Sequence, residues 1–246
     1  MTPAGLGGRV RALLFDLDGT LIDTVALILS SFRHATNAVL GAPLPDDVLM
    51  RNVGVPLAVQ MREFAPEHAD ELLRVYREHN SRIHDDMVAE YPGTHAALEE
   101  LARRGYPMGV VTSKGTAMAR RGLDGFGLGR FFEVVVTSDD VDIYKPDPYP
   151  LLHAGNLIGV PAHECLYLGD SPHDMSAAIA AGSVPVAALW GAFGAEAVLE
   201  PGPEFALRSI TELPRLLDGS GEEFRVVHTE IGHTHTVGHA RQREST

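Results

Sequence analysis

Two aspartates stand two residues apart in Asp16-Leu17-Asp18-Gly19-Thr20, directly after the apolar run Ala12-Leu13-Leu14-Phe15. Carboxylates so spaced can divide one reaction, one attacking as nucleophile while the other moves protons. They can also hold a hard cation through oxygen. A bare Asp-x-Asp is often only a turn or a helix cap, so its meaning depends on its company. Three polar clusters supply that company: Thr112-Ser113-Lys114, Lys145-Pro146-Asp147-Pro148 and Gly169-Asp170-Ser171-Pro172-His173-Asp174. Of the 20 basic residues only Lys114 and Lys145 are lysine, and both fall inside these clusters. Asp16, Asp18, Asp170 and Asp174 drawn together would repel one another and any incoming anion. A divalent cation and Lys145 would reverse that field.

A parallel sheet would bring the clusters together. Each follows a short apolar run: Ala12–Phe15, Met108–Val111, Glu133–Val136 and Cys165–Leu168, with a fifth run at Val184–Leu189. The runs are continuous rather than alternating, as expected of strands buried on both faces. Helical patterns at 93–104, 115–125, 148–158 and 172–181 separate the later runs, the last stopping at Gly182. Strand–helix alternation predicts an α/β sheet with helices on both faces. Ligands of such sheets sit outside the carboxyl ends of the strands, where all four clusters lie. A helix opening near Ser113 would offer backbone donors to an anion.

Between Leu21 and Tyr91 the rhythm breaks, and no strand is predicted. Helices are expected at 24–40, 46–51, 56–64 and 67–89, with Ala69, Leu72, Leu73, Tyr76 and Ile83 at helical spacing in the last. The predicted organisation is therefore a core from residues 1–22 and 92–220, a helical insertion at 23–91, and a mobile tail at 221–246. The tail holds His228, His233, His235 and His239, but no carboxylate or cysteine framework fixes a metal geometry there.

Composition narrows the function classes. The 246 residues are 45% hydrophobic and 22% charged, which suits one globular domain with a smaller insertion. Cys165 is the only cysteine, so no intramolecular disulfide can form, and its apolar surroundings predict a small buried side chain. No apolar run reaches membrane-spanning length and no secretory signal is visible, so a cytoplasmic protein is expected. A net charge of −13 opposes nucleic acid and anionic membranes as partners.

The four clusters, in this order and spacing, resemble the motifs of the haloacid dehalogenase-like phosphohydrolases. The first reads Phe15-Asp16-Leu17-Asp18-Gly19-Thr20-Leu21-Ile22-Asp23-Thr24, and the resemblance covers residues 10–218. It implies a Rossmann-like α/β core whose helical insertion is a C1 cap. It also implies roles. Asp16 would attack phosphorus and become an aspartyl-phosphate, and Asp18 would protonate the leaving group and then activate water. Thr112, with Ser113 beside it, would hold the phosphoryl group, and Lys145 would neutralise charge. Asp16, Asp170 and the backbone carbonyl of Asp18 would ligate Mg²⁺, with Asp174 acting through a water or orienting Lys145. Relatives that cleave carbon–halogen bonds lack the second aspartate, and the phosphonate-cleaving branch uses a cap lysine. This chain has Asp18 and no lysine in residues 24–91.

Val53-Gly54-Val55-Pro56-Leu57 stands where C1 caps place a substrate-specificity loop. Tyr76-Arg77-Glu78-His79-Asn80, His84-Asp85 and Trp190 are similar to the phosphoglycolate phosphatase and inorganic pyrophosphatase subgroup. Arg51 and Arg62 are the arginines expected to meet a second anionic end of the substrate; Arg77 is weighed with them. The expected function is Mg²⁺-dependent hydrolysis of a small phosphorylated metabolite, with phosphoglycolate first. Inorganic pyrophosphate, sugar phosphomutase chemistry and a noncatalytic ligand-binding role are the alternatives. The intact set Asp16, Asp18, Lys145 and Asp170 speaks against the last. A monomer or homodimer is expected.

Overall fold

The computed structural model describes residues 6–219, 221–228 and 235–237. The chain enters through β1 (Ala12–Phe15) and the two-residue strand β2 (Ile22–Asp23). Four helices follow: α1 (Val25–Leu40), α2 (Asp46–Met50), α3 (Leu57–Phe64) and α4 (Ala69–Met87). It returns through β3 (Ala89–Glu90), α5 (Thr94–Arg103), β4 (Met108–Val111), α6 (Thr116–Gly125) and β5 (Val134–Val136). Next come α7 (Tyr149–Ile158), β6 (Cys165–Gly169), α8 (Pro172–Ala181), β7 (Val184–Ala188), α9 (Ala195–Leu199) and β8 (Phe205–Leu207). α10 (Leu213–Asp218), β9 (Val226–His228) and β10 (His235–Val237) complete the described chain.

Six strands form one parallel sheet in the order β5-β4-β1-β6-β7-β8. The first strand lies at the point where the order reverses, which opens a crevice beyond its carboxyl end. The apolar runs are continuous because both faces are covered. Leu13, Phe15, Leu166 and Leu168 face one core with α5, α6 and α10. Ala12, Leu14, Cys165 and Tyr167 face another with α7 and α8. Cys165 is fully buried, as its setting predicts. This is the α/β, Rossmann-like core expected from the sequence.

α1 to α4 pack on one another around Phe32, Leu49, Met61, Leu72 and Tyr76. α4 buries Ala69, Leu72, Tyr76, Asn80 and His84, so two polar residues hold core positions where Leu73 and Ile83 were expected. Asn80 donates to the Ser31 hydroxyl at 3.1 Å, which satisfies its amide inside the block.

Three expectations need correction. The stretch 21–91 is not free of strands, because β2 and β3 pair antiparallel where the chain leaves and re-enters the core. The sheet has a sixth member, β8, whose Phe205-Ala206-Leu207 lacks the β-branched residues that mark the other short strand, β5. The segment after 220 is not wholly loose: Phe224 and Val226 are buried, and Arg225 bridges to Phe205. His233 and His239 lie outside the described residues. Among the described residues no helix is long and apolar enough to cross a membrane.

Candidate active site

Asp16 immediately follows β1, Thr112 follows β4 and Asp170 follows β6. Because these strands are neighbours and parallel, their carboxyl ends place the three side chains together. Asp174 is one helical turn beyond Asp170. It closes a capping box at the start of α8, accepting from the Ser171 amide and hydroxyl through Oδ2. Its Oδ1 accepts from Lys145 Nζ at 2.6 Å and from the Tyr167 hydroxyl at 3.1 Å. A carboxylate offers about four lone-pair sites, and four donors fill those of Asp174.

Lys145 is buried, and its ammonium donates to Asp16 at 2.8 Å, to Asp174, to the Tyr167 hydroxyl at 2.9 Å and to the Val111 carbonyl at 3.2 Å. Burial would lower its pKa, but Asp16 and Asp174 together raise it above the usual lysine range. Asp174 is likewise held below the carboxylate range by Lys145 in spite of its burial. Asp16 moves the other way: burial, opposed by Lys145, pushes it up to about 7. Asp170, buried and crowded by Asp16 and Asp174, is pushed well above its ordinary value. One ammonium does not cancel the charge of three buried carboxylates.

That excess fits a bound cation. Asp16, Asp170 and Asp174 can each bring one oxygen within 4.8 Å of the others. Asp170 is oriented for such a role, accepting from Thr20 Oγ1 at 3.2 Å and from the Ala192 amide at 2.7 Å. Two glycines make room for its carboxylate. A Cβ at Gly19 or at Gly191 would stand 2.2 Å from Asp170 Oδ2, and Gly19 also has φ +80°. Since the oxygens of Asp174 are engaged by donors, Asp16 and Asp170 are the carboxylates with capacity for a metal. The backbone around Thr20 is fixed by Trp190, whose indole N–H donates to the Thr20 carbonyl at 3.1 Å and whose ring meets Tyr91 edge-on at 6.4 Å.

Above these residues lies a cavity of about 620 Å³ between the sheet edge and the helical block. Asp16, Asp18, Thr112, Ser113, Lys114 and Asp170 line it from the core; Val53–Leu57, Gln60, Tyr76, Arg77, Asn80 and Ser81 line it from the block. The Ser113 hydroxyl donates to the Gly54 carbonyl. Arg121 on α6 donates to both oxygens of Asp85, at 3.0 and 2.8 Å, and to the Ser81 carbonyl at 2.8 Å. These contacts tie the block to the core.

Lys114 was noted in the sequence but given no role. Its Nζ sits 2.6 and 2.9 Å from the two oxygens of Asp18. The signal was there, in the scarcity of lysine. The partner was not, because 96 residues separate the two. Two further expectations fail. Arg51 and Arg62 are exposed and do not line the cavity, and Arg51 reaches only Asp47 at 4.0 Å; the arginine in the wall is Arg77. The helix after β4 opens at Thr116, not near Ser113, and the Thr116 amide is taken by Asp139 at 2.7 Å.

Comparison with known proteins places this geometry. Residues 13–188 match the family described as haloacid dehalogenase-like hydrolase. The pyrophosphatase PpaX of Bacillus velezensis is 36% identical over 205 residues, 83% of this chain and 95% of the relative. A crystal structure of a hydrolase from Pseudomonas syringae superposes with TM-score 0.77 at 28% identity, covering 85% of this chain and 98% of that one. A crystal structure described as a predicted phosphoglycolate phosphatase from Haemophilus somnus 129pt gives TM-score 0.75 at 23% identity, covering 85% and 98%.

Proposed function

This chain belongs to the haloacid dehalogenase-like hydrolases and is a phosphatase of that family, and we propose that it hydrolyses a small phosphate compound whose leaving group carries a second anionic end. Residues 23–91 serve as its cap, closing over the site to exclude water. One observation carries the reading: Lys145 binds Asp16 from below while the cavity opens above Asp16, Asp18 and Thr112.

The residues divide the work as follows. An Asp16 oxygen attacks phosphorus and forms the aspartyl-phosphate as the bond to the leaving oxygen breaks. Asp18 gives its proton to that oxygen, then takes one from the water that cleaves the intermediate. The Thr112 hydroxyl and the Lys145 ammonium hold the phosphoryl oxygens and their charge. Asp174 positions Lys145. Asp16 and Asp170, with the Asp18 backbone carbonyl, would hold Mg²⁺, which supplies positive charge against the phosphoryl oxygens and the crowded carboxylates.

Inorganic pyrophosphate is the first substrate of this reading, on the strength of relatives such as the Bacillus velezensis pyrophosphatase PpaX. Phosphoglycolate is the second, favoured by Ile28, Phe32, Val55, Leu57 and Phe193 in the cavity wall, which give a carbon-bearing leaving group something to touch.

Phosphate release from pyrophosphate, phosphoglycolate and p-nitrophenyl phosphate tests the reading. Activity should vanish with chelator and return with Mg²⁺. Asp16→Asn should abolish turnover, and Asp18→Asn should lower it about 10²- to 10⁴-fold, the range for one acid–base group. Full turnover by Asp16→Asn would sink the covalent route.

A further inference from the structure

We infer that Arg77 is the specificity-determining residue of this site, its guanidinium receiving the anionic group on the leaving-group side of the substrate. The inference rests on the reading above and adds the residue that recognises the leaving group.

Elimination inside the cavity leads to it. The walls carry two cationic side chains, Lys114 and Arg77. Lys114 is already committed to both oxygens of Asp18. Lys145 lies on Asp16 and Asp174 at the phosphoryl end and is not in the cavity wall, so it is not placed to meet the leaving group. Arg77 has no hydrogen bond or ion pair among the described residues. Arg62, Arg82 and Arg120 are likewise unpaired among the described residues, but none of them lines the cavity. On the same helix Arg74 pairs with Glu78 at 2.9 Å, and on α6 Arg121 pairs with Asp85 at 2.8 Å.

Placement agrees with chemistry. Tyr76, Arg77, Asn80 and Ser81 form the edge of α4 that faces the cavity, following the helical repeat. Asn80 is turned inward to Ser31 and Tyr76, which leaves Arg77 as the charged group on that edge. Arg77 lines the same cavity as Asp16 and Thr112, so a leaving group that spans the cavity can meet α4. The guanidinium fork matches a carboxylate or a phosphoryl group through two parallel hydrogen bonds, which a lysine ammonium cannot copy. The anion is therefore the distal phosphoryl of pyrophosphate or the carboxylate of phosphoglycolate, and a neutral leaving group gains nothing from Arg77.

The test compares wild type, Arg77→Met and Arg77→Lys on pyrophosphate, phosphoglycolate and ethyl phosphate, the last lacking a second anion. Arg77→Met should lower kcat/KM for the two substrates that carry a second anionic end by about 10- to 100-fold, mostly through KM, as loss of a charge-assisted pair predicts. Ethyl phosphate should lose less than about threefold, and Arg77→Lys should recover part of the loss. Whichever of pyrophosphate and phosphoglycolate shows the higher wild-type kcat/KM and the larger drop identifies the source of the anion. Calorimetric binding of methylenediphosphonate against methylphosphonate gives a readout without turnover, and Arg77→Met should erase the preference for the former. Arg103→Met, far from the cavity, controls for charge, and circular dichroism checks folding. An equal loss on all three substrates, no loss, or a retained diphosphonate preference would overturn the inference. Wild-type enzyme inert toward every phosphate compound would instead sink the substrate reading, with the diphosphonate titration still judging Arg77.

Discussion

Lys145, beneath the cavity, shares its three N–H donors among four buried oxygens within hydrogen-bond distance. Arg121, which ties the proposed cap to the core, donates to Ser81 and Asp85 at the surface, where the Asp85 side chain is 70% exposed. The two arrangements have opposite economies. A buried ion cluster is costly to assemble and costlier to leave half-made, so it fixes one geometry. An exposed pair is screened by water and breaks easily. Phosphoryl transfer needs its nucleophile and cations held still, while substrate entry needs a lid that parts. On the proposed mechanism, each kind of contact lies where its strength suits the task.

Breaking the floor should show the largest effect. Lys145→Met leaves Asp174 and its donors around a missing cation, and loss of one partner of a buried pair costs about 3–5 kcal/mol. Urea denaturation should report that loss together with near-complete loss of turnover. Adding Asp174→Asn should recover part of the stability, since the two sites are in contact and their effects should not add. A single variant as stable as wild type would show that the floor is not held by this cluster.

Breaking the lid contact should cost far less. Arg121→Ala should lower stability by under about 1 kcal/mol, as for exposed pairs. It should act on function through cap closure, raising KM severalfold. A stability loss equal to that of Lys145→Met would erase the contrast between floor and lid.

The smallest effect sharpens the comparison within the cap. His79 stacks on His34 with ring centroids 4.0 Å apart, and its Nδ1 is buried without a hydrogen-bond partner among the described residues. Burial first, then His34 and Arg82, hold its pKa below the ordinary histidine value. A depressed folded-state pKa favours the neutral ring. This contribution is therefore complete above the unfolded value of 6.5 and is lost as pH falls below it through the folded value. The melting temperature should drop more steeply with acid in wild type than in His79→Phe. Parallel curves would remove the stacked pair from the account.

How much of this the sequence disclosed depends on the range of each interaction. Continuous apolar runs located β1, β4, β5, β6 and β7, because strands covered on both faces carry apolar residues at every position. β8 is no shorter than β5 but reads Phe205-Ala206-Leu207 without the β-branched residues that marked β5, and β2 and β3 have only two residues each. The polar clusters pointed to the floor because three of them directly follow β1, β4 and β6, and the Lys145 cluster lies in the loop after β5. The lid was less legible. Asn80 and His84 occupy buried turns of α4 as polar residues, which obscures the face that Arg77 presents. Arg51, Arg62 and Arg77 are alike in sequence, and only the cavity separates them. The Lys114–Asp18 pair joins residues that no local pattern connects.

The chain's single tryptophan has a use beyond packing. Its indole N–H is bonded to Thr20, whose hydroxyl in turn orients Asp170, and its ring touches Tyr91 just where the helical block rejoins the core. One fluorophore thus borders both the loop that aims a carboxylate and the hinge on which a lid would swing. Its emission should therefore respond to filling of the site and to the proposed movement of that hinge, a native optical gauge that needs no dye and no altered residue.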